Sequence, residues 1–358
     1  MLARVAVISL NTYREAVRAR VLHGLFGLAI GTGAYALVVG QFALRDTLRV
    51  VSDLGAASIS LYAIVVAIVL GATSLHRELE HKTVFPILAR PIRRWEYLVG
   101  KYLGTLLTLA VFVAANAGAL LLALGALSGA NLWVVLGSGF GSAALAAVVA
   151  IKRPRLGIYV PMAWAAAMVI AGWLLASGAI DDRRVIVGAA SLTVCEVAIV
   201  AAIATLFSSF SSPFLTAIFT FGVFIVGRSA DTLARLPHRV FGKGIQTAGE
   251  LMSRVVPNLM VYVPPRSLLT GEAAGVALSE YVAWAALSSL AWAAGLLAFA
   301  SLVFGSQICT PLADPAGKAV FVARAISEAS ETRLKTLPAI NCEALNSPVF
   351  QMSRFAAL

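Results

Sequence analysis

The sequence predicts an all-α polytopic integral membrane protein of about eight spans, and three observations carry that expectation. Apolar residues are 60% and charged residues 13% of the 358, whereas soluble domains lie nearer half and a quarter. The apolar residues gather into eight segments, at 21–40, 56–75, 100–127, 131–151, 157–179, 185–207, 213–229 and 281–304. A hydrocarbon core about 30 Å thick needs about 20 helical residues, so nearly all are long enough to cross, and 213–229 is marginal. The basic residues alternate between loops. With the N-terminus inside, the inner segments 1–20, 76–101 and 151–155 hold thirteen Lys and Arg, against four in the outer loops 41–55 and 180–184. The positive-inside rule then places both termini and the 76–101 segment in the cytosol.

Composition also excludes functions. The net charge of +11 is scattered between apolar spans without the aromatic–basic platform that single strands require, so the partner it implies is a lipid bilayer and not nucleic acid. Cys195, Cys309 and Cys342 form no disulfide framework, and they and the four histidines have no metal-ligand spacing, so no metal site is expected. A charged helix precedes the first apolar run, which is not the pattern of a cleavable signal peptide. No GxxxxGK[ST] loop is present: Gly100–Lys101 and Gly317–Lys318 lack the upstream glycine and the following Ser or Thr. No Ser/His/Asp set or zincin-type histidine pair occurs either, and the chain is expected not to be an enzyme.

Residues 1–20 carry a helical pattern with Asn11, Arg14, Glu15 and Arg18 on one face and Ala6, Leu10, Tyr13 and Val17 on another. Such a helix lies on the membrane surface, either as a plain interfacial anchor or as an elbow that passes movement to the first span. Next, Leu75 to Lys101 is the most charged window of the first half. There Glu80, Lys82 and Thr83 precede a short apolar run of Val84, Phe85, Ile87 and Leu88. Pro91 ends it, because the residue before a proline is pushed out of the helical region, and Arg94, Gly100 and Lys101 lead into the next span. A stubby helix between two spans is expected, read either as an ordinary basic cytosolic loop or as a knob that docks in a partner's groove.

The segments 131–151 and 157–179 read as a transmembrane hairpin, 131–179, turned by Lys152, Arg153, Pro154 and Arg155. Within the sixth segment, Glu196 is an ionisable residue at membrane depth, a placement that costs about 2.5–3.5 kcal/mol on insertion scales and so demands a partner. Glu196, with Asn116 as its candidate partner, forms the candidate intramembrane polar site. It reads as a structural hydrogen bond across helices or as a contact for substrate or a proton. Pro213 opens the seventh segment at a favoured early helical position. Residues 228–280 are too polar to cross and form an outer loop, with amphipathic helices expected near 230–256. The tail 305–358, rich in Pro, Ser, Glu and Lys, is expected to be a partly disordered cytosolic extension.

The order Glu80, Thr83, Leu88, Pro91, Arg94, Gly100, Lys101, lying between the second and third spans, resembles the coupling segment of type-2 ATP-binding-cassette (ABC) transporter permeases. There it runs E-x-G-T, a few apolar residues, P-x-x-R and G-K. Lys82 stands where the family often has glycine. Asn11 to Leu22 is similar to the elbow of these permeases, and Leu206 to Leu215 to one of their short inner turns. The resemblance implies an ABC permease-like bundle of six core spans, with 131–179 inserted, in the bacterial cytoplasmic (inner) membrane. It implies a permease subunit of an exporter, paired with a second permease copy as a homodimer. Two separate ATPase subunits would hold ATP and Mg, leaving no cofactor on this chain. Glu80, Lys82, Thr83, Phe85, Leu88, Pro91, Arg94 and Lys101 become the partner-coupling residues, and Arg14, Glu15 and Arg18 mark the elbow. The alternative class is an ATP-independent ion-coupled transporter using Glu196, or a membrane assembly scaffold.

Overall fold

A computed structural model describes residues 2–42, 46–80, 94–153, 157–234, 247, 249, 251, 256–272 and 277–313. The helices are α1 Leu2–Val17, α2 Arg20–Phe42, α3 Thr47–Glu80, α4 Arg94–Leu127, α5 Leu132–Lys152, α6 Val160–Leu175, α7 Ile180–Ser208, α8 Pro213–Arg228, α9 Ala230–Ala234, α10 Arg266–Thr270 and α11 Leu278–Ala313. Short 3-10 turns occupy Ala176–Gly178 and Leu259–Tyr262, and no strand occurs among the described residues. Seven helices are long and apolar enough to cross a membrane: α2 to α7, with α6 extended by its 3-10 turn, and α11. The chain is therefore an all-α protein of multi-pass membrane character. The eighth apolar segment becomes α8, whose 16 residues reach about 24 Å, short of a core about 30 Å thick.

Buried residues run almost the length of α7, from Val185 to Ser208, and it packs against α3, α4 and α11. A helix apolar on every side is stable only when surrounded, which is why α7 becomes the bundle's axis. Small residues set the spacing: a Cβ on Gly71 of α3 would lie 2.4 Å from that of Ala204 of α7.

The two apolar segments of 131–179 are present as α5 and α6, and the two helices differ. Gly172 of α6 lies against Leu121 and the Gly118 carbonyl of α4, so these helices pack closely. Asn131 caps α5 by accepting from the Trp133 amide at 3.0 Å. Only Val135 of α5 is buried, near its start, in a small cluster with Leu122 and Met168. Phe140, Leu145, Val148 and Ile151 are exposed.

Three expectations need correction. The packed stripe of α1 is Val5, Thr12, Tyr13 and Ala16, with Ala6 exposed and Leu10 and Val17 only half-buried. The final helix does not stop at Phe304 but continues to Ala313, so helix occupies the first nine positions assigned to the tail. The 228–280 segment is not only a loop, since Leu259 and Tyr262 within it are buried in the main core. The expected helices near 230–256 fall mostly outside the described residues, as do 314–358.

Candidate functional site

Of the partner-coupling set, Lys82, Thr83, Phe85, Leu88 and Pro91 lie outside the described residues. Glu80 ends α3 and Arg94 begins α4, so the segment 81–93 is bounded by two helices of 34 residues each. Lys101, expected at a partner surface, is instead 5% exposed in the second turn of α4, where it and the buried Glu96 and Tyr97 each engage a neighbour. It serves the inside of the bundle.

What covers that turn is α1. A Cβ on Gly100 would meet the Ile8 side chain at 2.8 Å, and one on Gly104 would meet the Ser9 carbonyl oxygen at 2.5 Å. The two glycines thus form a seat on α4 into which α1 drops Ile8, Ser9 and Thr12. Tyr13 beside them is fully buried, and burial pushes its phenol up to about 12, so it remains neutral across the physiological range. Arg14 and Glu15 lie on the exposed face of α1, and Arg18, just past its end, is exposed as well.

Inside the bundle, Glu196 is 0% exposed and Asn116 is not its partner: the Asn116 side-chain amide donates to the Phe112 carbonyl of its own helix at 2.8 Å. Glu196 instead meets Arg228, the last residue of α8, whose Nε lies 3.2 Å from Oε1. The pair is a charge contact, because Oε1 accepts no well-directed hydrogen bond. Ser60 of α3 completes the group, donating to Glu196 Oε2 at 3.4 Å and accepting from Arg228 Nη2 at 3.4 Å. Three helices converge on this triad. It works because α8 is short: its C-terminus, where carbonyl dipoles favour a cation, ends within the bundle and delivers the guanidinium to the carboxylate.

Beyond the triad, the chain folds back as a wedge. Gly227 sits under the Pro257 carbonyl and Leu259, and the Tyr262 hydroxyl donates to the Ala285 carbonyl of α11 at 3.4 Å. The wedge then rises to Arg266, which pairs with Asp53 at the start of α3 and with Asp182 at the start of α7. Ser52 donates to Asp182 at 2.9 Å and accepts from Arg266 at 3.2 Å, closing a four-residue knot. The knot places Asp53, Asp182 and the 256–272 wedge at one end of the bundle, so the start of α3 and the start of α7, which the loop charges put on one side, lie together with part of the expected 228–280 loop.

Sequence reasoning found Glu196 but missed Arg228, Ser60 and the knot. Two signals were present: Arg228 is the one ionisable residue of α8, and Arg266 follows a Pro–Pro pair in an otherwise apolar stretch. No protein-family model and no curated protein matches the chain. What the fold and site define is a class, a multi-pass helical membrane protein with an ion pair locked at its centre.

Proposed function

We propose that the chain is the permease subunit of an ABC exporter in a bacterial cytoplasmic membrane. It acts as a homodimer with two separate ATPase subunits that bind ATP and Mg, and its termini and 76–101 segment face the cytosol. The observation that carries this reading is the seat of α1 on Gly100 and Gly104, immediately after the coupling-like segment. A push on residues 81–93 is delivered to rigid helices on both sides, and the interlocked α1 must move with α4. Coupling needs such a stiff joint, because a loose one dissipates the motion before it reaches the bundle. On this reading the Arg266 knot closes the outer end of the path, and the Glu196–Arg228–Ser60 triad fixes α8 against α3 and α7.

The ion-coupled alternative makes Glu196 a proton carrier. A guanidinium at 3.2 Å gives the carboxylate a fixed partner on another helix, which favours a structural role. The experiment is a mild-detergent pull-down of the tagged chain from its native membrane with ATP hydrolysis assayed, in wild type and in Thr83→Ala/Leu88→Ala. Co-purification of an ABC ATPase that is lost or uncoupled in the variant supports the proposal. Nucleotide-independent, proton-driven transport abolished by Glu196→Gln would instead establish the alternative.

A further inference from the structure

Whereas α6 packs closely on α4, α5 touches α4 near its start and stands away from it further on. Near the start of α5, Val135 is buried against Leu122 and Met168. Two turns on, Ala143, Ala146, Ala147 and Ala150 face a groove of about 370 Å³, closed opposite by Val17, Phe26, Val111, Phe112 and Ala115 and floored by Trp164 and Pro161. The alanines recur at helical spacing, so the groove wall is flat and a larger residue at any of them would fill it.

Three further observations say what the groove takes. Its lining is almost wholly apolar, which suits a hydrocarbon chain. The indole Nε1 of Trp164 is buried and has no hydrogen-bond partner among the described residues, although a buried indole N–H ordinarily finds an acceptor. Arg18 follows the lining residue Val17 in the chain, and Lys152 and Arg153 lie just past the lining residue Ala150; all three cations are exposed. Glu15 accompanies Arg14 on the last turn of α1, and Arg18 follows just past its end, which keeps a net positive charge there. Trp164 lies about one helical turn inside the start of α6, the depth of a lipid's ester carbonyls beneath its phosphate.

We propose that this groove is a binding site for one anionic phospholipid, with an acyl chain along the alanine wall, an ester carbonyl accepting from Trp164 Nε1, and the phosphate beside Lys152, Arg153 and Arg18. The site is independent of the transport reading, and its test leaves the ATPase pull-down untouched.

The full-length chain in neutral detergent is titrated with phosphatidylglycerol or phosphatidylcholine carrying identical brominated acyl chains. The Trp164 signal is taken as the difference between wild type and Trp164→Phe. Phosphatidylglycerol should quench it at a mole fraction about tenfold lower than phosphatidylcholine. Lys152→Gln/Arg153→Gln, at exposed positions that leave folding intact, should bring the two lipids together, and Ala147→Phe should remove quenching by both. Equal quenching of wild type by the two lipids, or a preference that survives loss of both cations, overturns the proposal. So does occupancy by a second copy of the chain, which would leave Trp164 unquenched by either lipid and let Ala147→Cys form a disulfide-linked dimer.

Discussion

Glu196 is stable at the centre of an apolar helix because a charge taken out of water needs an opposite charge at contact distance, and Arg228 supplies it at 3.2 Å. Removing one partner is therefore worse than removing both. Arg228→Met leaves a buried carboxylate uncompensated and should cost about 3–5 kcal/mol, whereas Glu196→Gln/Arg228→Met should recover most of that loss. Denaturant unfolding of the purified variants in detergent measures both, and a double variant no better than Arg228→Met would remove the pairing argument. The carboxylate itself was legible in the sequence, since nothing else in VCEVAIV can ionise near neutral pH. Its partner was not. Arg228 stands where an apolar segment meets a polar loop and reads as a flanking residue outside the membrane. Only the depth at which the short α8 ends turns it inward, and run length does not give that depth.

The seat of α1 on α4 depends on two glycines that do unequal jobs. The obstacle to a Cβ at Gly100 is the side chain of Ile8, which can shift, whereas at Gly104 it is the backbone carbonyl of Ser9, which cannot without moving the helix. Gly104→Ala should then lift α1 and cost about 1–3 kcal/mol, with Gly100→Ala costing less. Maleimide labelling of a Thr12→Cys reporter, buried in the native joint, reads the difference directly. Reporter labelling that stays slow in Gly104→Ala would mean that α1 is not held by close approach. The spans themselves were readable from the lengths of the apolar runs, and the hairpin from the basic turn between its two halves. The exposed face of α1 was read from its charges, but its packed stripe was read only in part because that face is mixed: Thr12 and Ser9 pack inward with Val5 and Tyr13, and apolar periodicity does not count such residues. Small residues at helix contacts carry no hydrophobic signal, so the glycine seat escaped composition altogether.

At the scale of the whole molecule, the sequence carried sidedness through alternating loop charge, and the Arg266 knot adds a contact test of the same order. Exposed positions at the two ends, Arg153 and Asp181, should behave oppositely when replaced singly by cysteine in a background without the native thiols. A membrane-impermeant maleimide added to intact cells should label Asp181→Cys and spare Arg153→Cys, and labelling of both would break the topology. The knot also makes a stronger claim, that one arginine keeps the wedge 256–272 seated over the bundle. Below the wedge lies half-buried Cys195, packed against the core cluster that holds Leu259 and Tyr262. Hydrogen bonds to charged groups are worth about 1.5–3 kcal/mol, and the half-exposed Asp53 contributes toward the low end because solvent screens it. Arg266→Ala should then raise the open population, and with it the labelling rate of Cys195 from the Asp181 side, by about tenfold, in a background with Cys309 and Cys342 replaced by serine. Arg266→Lys should lie between, since an ammonium can neutralise one carboxylate but cannot span Asp53 and Asp182 with a planar fork. If Arg266→Ala leaves Cys195 as protected as in the parent, the wedge is held by Leu259 and Tyr262 packing alone, and the knot is an ornament of that end of the bundle without control over access.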